Sequence, residues 1–301
     1  MRLLALWVAT AGALLGWSEY VFVNEGPAQA ALAPGWPGQV LAMWGFYLIP
    51  AAAFLALARL RALTHWWQAV LAGGIVGWVT EGVVVPAVYE GPPVSFVWTS
   101  LAWHAPVDVM LGLWLLPRLL RADRPSWALP ALLLPAGLAA GTWALWTTGD
   151  GAEALNMTLG DFARLCLIYT PLVALGALAW AAWERQVAHL PAWAAWGALA
   201  ACAAIGLVQG LAFPLFLAAL AVIVALVLWL FLRAAAGPRD HAAAAPVRAL
   251  WFGGFGISSI VAYALWGGAE AAMDQEILIL AAFSSGTLIF LAACWRGFTL
   301  R

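Results

Sequence analysis

The chain has 301 residues, of which 65% are hydrophobic and only 9% carry a charge. A soluble domain carries about 25% charged residues, so this composition excludes a soluble enzyme and a nucleic-acid-binding protein. The apolar runs are continuous and about 20 residues long, whereas the strands of a membrane barrel alternate over about ten residues. We therefore predict an all-α polytopic integral membrane protein whose first partner is the lipid bilayer.

Ten apolar segments are each long enough to cross a bilayer as a helix. They are 3–23, 38–60, 67–89, 94–116, 128–147, 160–182, 192–209, 213–233, 247–267 and 277–295. We interpret the first as a retained span, with a cleaved signal peptide as the alternative. The seventh and eighth share one apolar run that is broken only at 209–214, which predicts a helical hairpin there.

The basic residues predict the orientation of these helices. All 13 are arginines, and with both termini in the cytoplasm 12 of them face the cytoplasmic side, with Arg164 outside. An excess of basic residues is typical of the cytoplasmic loops of membrane proteins. We expect one transmembrane domain over 1–301 in the cytoplasmic (inner) membrane of a bacterium. Its four-helix half, 1–124, would hold the buried ionisable residues, and 125–301 would form an apolar six-helix half.

The first two predicted hairpins resemble each other. The first helix carries Gly-Trp-Ser-Glu at 16–19, and the third carries Gly-Trp-Val-Thr-Glu at 77–81. Each returning helix places a tryptophan fifteen residues before an arginine, at Trp44 and Arg59 and at Trp103 and Arg118. This pattern favours a duplicated helical hairpin in helices 1–4, with chance similarity between apolar sequences as the alternative.

Four ionisable side chains lie inside the predicted spans: Glu19, Glu81, His104 and Asp108. Such a residue costs at least a few kcal/mol at the centre of a bilayer, which makes it a candidate for function. His104 and Asp108 are four residues apart on one helix face and are predicted to touch. We predict that Glu81, His104 and Asp108 transfer or couple protons, unless they form a neutralised cluster that joins helices. Glu19 is the shallowest, and its side chain is expected to reach the headgroups.

Several other residues are candidates for substrate binding, namely Glu19, Tyr20, Tyr89, Trp78 and Trp103. No cofactor is required by the sequence, which has no HExxH motif and no CxxC motif. If a metal is bound, its ligands would be Glu81, His104 and Asp108, which suit a hard metal ion.

Three functions remain open at this point. The first is a transporter of a small solute, coupled to protons or a cation through the buried carboxylates and the His104–Asp108 pair. The second is an intramembrane enzyme that acts on a lipid, an isoprenoid or another apolar substrate with the same residues as acid and base. The third is a subunit of a membrane complex whose buried polar groups bind either a partner helix or a haem-like cofactor, with His104 as one axial ligand in the second case. The oligomeric state is left open.

Overall fold

The computed structural model describes residues 1–148, 155, 157–233, 242–266 and 275–299. Within these ranges the elements are helices, joined at one point by a single β-bridge between Arg121 and Ala244. Nine of the described helices are long and apolar enough to cross a membrane. The chain is therefore an all-helical membrane protein, as predicted. Arg239 and Arg301, which entered the orientation argument, and the end of the ninth predicted span lie outside the described residues.

Twelve α-helices and three π-helices build the described structure. The α-helices are α1 (Arg2–Leu15), α2 (Glu25–Leu32), α3 (Trp36–Leu60), α4 (Trp66–Val79), α5 (Val94–Val97), α6 (Leu116–Leu119), α7 (Ala128–Trp143), α8 (Leu159–Trp183), α9 (Ala192–Gly210), α10 (Pro214–Arg233), α11 (Trp251–Trp266) and α12 (Gln275–Thr299). The π-helices are π1 (Gly16–Val21), π2 (Thr80–Val84) and π3 (Ser100–Leu115). Short 3₁₀ turns cover Pro86–Tyr89, Ala144–Thr148, Glu184–His189 and Pro246–Leu250.

The seventh and eighth predicted spans are confirmed as two helices. α9 ends at Gly210 and α10 begins at Pro214, where the proline lacks the amide that an uninterrupted helix would need. The fourth predicted span, 94–116, is built differently. α5 ends at Val97, and a new helix starts at Ser100 as π3 and continues as α6 to Leu119. This segment is not one of the nine apolar helices, so the number of ten spans stays a prediction.

Many of the buried core residues lie on α4, on π3 and on the second half of α1. α1 packs against α3 and α8, and π3 packs against α4 and α12. α8 and α12 thus contact helices of the range 1–124 directly. Of the described residues, the buried acidic, basic and histidine side chains are Glu19, His104, Asp108 and Arg121, all within that first range.

Small residues allow the helices of the second half to approach closely. Gly137 and Gly141 lie four residues apart on α7 and face α11. A Cβ atom at Gly141 would lie 2.1 Å from the carbonyl oxygen of Ser259, so only glycine fits there. Such pairs of small residues are typical of contacts between membrane helices, where backbones can pack without side chains between them.

Candidate functional site

Three segments of π-helix carry the ionisable side chains that the sequence singled out. Glu19 lies on π1, Glu81 on π2, and His104 and Asp108 on π3. The wider hydrogen-bond spacing is visible at His104, whose amide donates to the carbonyl of Thr99 at 2.8 Å, five residues earlier. π-helix accounts for well under 1% of residues in proteins and is frequent at functional sites. The backbone is therefore unusual at each of these positions.

Two residues with left-handed backbone border these π-helices. Val23 has a φ of 57° shortly after π1, and Thr99 has a φ of 55° directly before π3. Both are branched at Cβ, so this conformation is strained and needs support from the surrounding packing. The strain lies at the edges of the segments that position Glu19 and His104.

His104 bridges two carboxylates with its two ring nitrogens. Its Nε2 lies 2.9 Å from Oε1 of Glu81, and its Nδ1 lies 2.6 Å from Oδ2 of Asp108. His104 is 3% exposed and Asp108 is 1% exposed, whereas the Glu81 side chain is 14% exposed. The predicted contact between His104 and Asp108 is confirmed, and the structure adds Glu81 from a different helix.

Glycine brings the two helices of this bridge together. A Cβ atom at Gly77 would lie 2.6 Å from the carbonyl oxygen of Ser100 and 3.0 Å from Cβ of His104. One turn earlier, a Cβ atom at Gly73 would lie 2.7 Å from Cα of Ala105. Gly73 and Gly77 share a face of α4, so the backbones of α4 and π3 touch along it. This close approach places Glu81 within reach of His104.

A second branch of hydrogen bonds leads from His104 to Glu19. Ser18 Oγ lies 3.5 Å from Nδ1 of His104 and 2.7 Å from the hydroxyl of Tyr47 on α3. The Tyr47 hydroxyl donates in turn to Oε1 of Glu19. We call the six connected side chains the buried network: Ser18, Glu19, Tyr47, Glu81, His104 and Asp108. It joins π1, α3, π2 and π3.

The expectation that Glu19 reaches the headgroups is wrong. Its side chain is held inside the bundle at 4% exposure, because π1 turns it toward Tyr47. The residue pattern did not single out Tyr47 or Ser18 as members of the site. The adjacent polar pair Ser18-Glu19 in an apolar helix was the available signal.

The two hairpins place their carboxylates in the same way. In the first, Glu19 at the end of the outgoing helix accepts a hydrogen bond from Tyr47 on the returning helix. In the second, Glu81 at the end of the outgoing helix contacts His104 on the returning helix. Duplication stays a prediction, and this shared arrangement agrees with it.

The bridge through His104 requires two protons. A neutral imidazole has one donor and one acceptor nitrogen, while an ionised carboxylate only accepts. The two nitrogen–oxygen contacts are therefore both satisfied when His104 is an imidazolium, or when it is neutral and one carboxyl group is protonated. Removing one proton leaves one contact without a donor. The geometry thus makes the bonding of these side chains depend on how many protons they hold.

The remaining candidates for substrate binding lie outside the buried network. Tyr20 is fully buried, with its hydroxyl 4.0 Å from the sulfur of Met43. Trp103 donates its indole N–H to the carbonyl of Trp17 at 3.1 Å, and its ring packs against Phe22. Both side chains contact protein atoms and contribute to packing around the network.

Trp78 and Tyr89 line an apolar groove on the other side of π2. The groove has a volume of about 570 Å³ and lies between α4, π2, α9 and α10. Tyr89 donates its hydroxyl to the carbonyl of Gly206 on α9 at 2.9 Å. α9 packs against α3 and π2, while α10 packs against α4 and α12, so the groove separates two helices that follow each other in the chain.

A metal held by Glu81, His104 and Asp108 finds no support in this arrangement, because each carboxylate contacts one nitrogen of His104 and both ring nitrogens are thereby used. In the ranges that the structure covers, no group of three or more histidine, cysteine, aspartate or glutamate side chains is placed to hold a metal ion.

Comparison with family models, with curated proteins and with solved structures finds no match to this chain. The buried network and the groove are therefore the features from which a function can be inferred.

Proposed function

We propose that the protein is a membrane transporter that couples the movement of a small solute to protons through the buried network. The observation that carries this proposal is the bridge from Glu81 through both nitrogens of His104 to Asp108. Ionisable side chains within a membrane bundle mark ion pathways and proton relays, because the bilayer makes them expensive to retain. Our proposed topology keeps ten spans, with 100–119 as the fourth, both termini in the cytoplasm and the chain in the bacterial cytoplasmic membrane.

The bridge offers a physical route from proton binding to helix movement. The contact between His104 and Asp108 lies within π3, whereas the contact between Glu81 and His104 joins two helices. Loss of the proton between Glu81 and His104 would leave two acceptors facing each other and would weaken the attachment of π2 to π3. Transporters alternate between two accessible states by moving one group of helices against another. Here the number of bound protons would select between the two states.

Replacing Glu81 with glutamine tests this function. The amide keeps the size of the side chain and can still bond His104, but it cannot release a proton. We expect the charge that moves into proteoliposomes after a pH jump to fall by about a hundredfold. The current is measured on a solid-supported membrane, with Glu90→Gln as the matched control, because Glu90 is an exposed carboxylate on the same hairpin. A wild-type current in Glu81→Gln would contradict the proposal.

A second candidate function is an intramembrane enzyme for a lipid or an isoprenoid, and the apolar groove favours it. Its volume of about 570 Å³ lies within the usual range for ligand pockets. Val79, Gly82 and Val83 form part of its wall and flank Glu81 in the chain. The groove is continuous with the outward face of α9 and the turn after it, where Leu207 and Leu211 line the groove and are 52% and 64% exposed. An apolar substrate could enter it from the bilayer.

A bulky residue in the groove tests this second candidate. Ala203 lines the groove, while its neighbour Ala204 is exposed on α9 outside it. We expect Ala203→Phe to lower the amount of lipid that copurifies with the protein by about tenfold, because the phenyl ring occupies the part of the groove that a lipid acyl chain would fill. Quantitative lipid mass spectrometry measures this amount, and Ala204→Phe should retain the wild-type level. Equal lipid content in the two variants would show that the groove does not hold the lipid, and this candidate function would lose its support.

A further inference from the structure

The branch through Ser18 and Tyr47 ends on a carboxylate that has one unused oxygen. Oε1 of Glu19 accepts from Tyr47, while Oε2 is buried and makes no hydrogen bond. An ionised carboxylate with an unpaired buried oxygen carries a large desolvation penalty, which the neutral acid avoids. The position of Glu19 therefore suits a group that accepts a proton from inside the protein.

The donors of this branch point in one direction. The hydroxyl hydrogen of Tyr47 is used in its bond to Glu19, so Ser18 must donate in the 2.7 Å contact between Ser18 and Tyr47. The oxygen of Ser18 is then the next acceptor for the proton of His104 Nδ1, from which it lies 3.5 Å away, while that proton is held by Asp108 at 2.6 Å. The contact between Ser18 and His104 is the longest of the three and is where the branch is interrupted. Each donor faces the next acceptor from His104 to Glu19.

We propose that Glu19 is a second proton-binding residue of the buried network, and that Ser18 and Tyr47 connect it to His104. This inference rests on the proposed function and deepens it. When Ser18 moves closer to His104, the Nδ1 proton leaves its hydrogen bond to Asp108 and passes to Ser18 Oγ, and the Ser18 hydroxyl proton passes to Tyr47. The phenolic proton of Tyr47 then passes to Oε1 of Glu19. One imidazolium becomes a neutral imidazole, one carboxylate becomes a neutral acid, and both hydroxyl groups keep one proton each.

The shared arrangement of the two hairpins supports this assignment. Glu19 and Glu81 each lie on a π-helix at the end of an outgoing helix, and each bonds to the returning helix. His104 is within reach of both branches, because Nε2 faces Glu81 and Nδ1 faces Asp108 and Ser18. Glu81 is the more exposed carboxylate and Glu19 the more enclosed one. The structure therefore orders them as an outer and an inner proton acceptor.

Infrared spectroscopy of the purified full-length protein tests the assignment without any solute. Protonated carboxyl groups give an infrared band, and the band that disappears in Glu19→Gln is assigned to Glu19. The rate at which this band shifts after transfer to heavy water measures proton exchange at Glu19. We expect Tyr47→Phe to slow that exchange by about tenfold, because the ring is kept and only the connecting hydroxyl is lost. Ser18→Ala interrupts the same branch with a smaller change in packing and should show the same delay.

Tyr169→Phe is the matched control, since Tyr169 is a fully buried tyrosine whose hydroxyl contacts Cys166 and not the network. Its exchange should equal that of the wild type. The proposal is overturned if no carboxyl band depends on Glu19, or if exchange is unaffected in both Tyr47→Phe and Ser18→Ala. Because the band needs no transport, a wild-type current in Glu81→Gln together with an intact Glu19 response would reject the transport function alone. A reduced current in Glu81→Gln without any Glu19-dependent response would reject the role of Glu19 alone.

Discussion

Replacing His104 with leucine is expected to destabilise the protein by about 3–5 kcal/mol. The substitution removes the only side chain that contacts both Glu81 and Asp108 in the described network, and it leaves Asp108 enclosed at 1% exposure. A buried carboxylate without its partner must either remain charged in a poor environment or take up a proton. Thermal unfolding in detergent measures the effect as a lower midpoint.

Two further variants separate the stabilising role of His104 from its role in proton transfer. His189→Leu is the matched control, because His189 is exposed in the turn after α8 and should unfold like the wild type. His104→Gln keeps a donor and an acceptor and should recover most of the stability. It cannot hold an extra proton, so the current after a pH jump should stay absent. Unfolding of His104→Leu at the wild-type temperature would show that the bridge does not hold π2 to π3.

Replacing Gly77 with leucine is expected to separate α4 from π3 and to abolish the bridge. The added Cβ would lie 2.6 Å from a backbone oxygen of Ser100, which cannot turn aside as a flexible side chain would. Overpacking of this kind typically costs about 1–3 kcal/mol, and the lost contact between Glu81 and His104 adds to it. The expected result is a lower unfolding midpoint together with loss of the proton-dependent current.

Gly45→Leu is the matched control for this variant. Gly45 lies on α3, and a Cβ atom there would meet no other atom within 4 Å. The leucine should therefore leave both the unfolding midpoint and the current unchanged. If Gly77→Leu behaved like Gly45→Leu, the close approach of α4 and π3 would not be needed for the site.

The residue pattern was sufficient for the class of protein and for the centre of the site. Long apolar runs need no tertiary contact to indicate membrane helices, because the bilayer itself requires the backbone to be paired within each segment. The spacing of His104 and Asp108 predicted their contact, since residues four apart share a face of an α-helix, and the contact is kept in π3. The break between α9 and α10 followed from Pro214, which cannot continue a helix from Gly210.

Other features depended on contacts between segments that are far apart in the chain. Glu19 looked like a residue at the membrane surface, because its depth was counted along a straight helix, and π1 turned it toward Tyr47 instead. No local rule predicts a π-helix of 16 residues such as π3, where a strained Thr99 and the packing of α4 hold the backbone. The apolar groove arises because α9 and α10 pack against different helices.

Composition and spacing therefore determined that this chain crosses a membrane, and that Glu81, His104 and Asp108 are its most informative side chains. Both conclusions depend on the free energy of placing one residue or one helix in a bilayer. That free energy is set by the residues of the segment itself, so it can be judged without the tertiary structure. Only the tertiary structure decided that Ser18, Glu19 and Tyr47 extend the same site. They meet with His104 only because π1, α3 and π3 pack together, and such contacts between distant segments leave no periodic signal in the sequence.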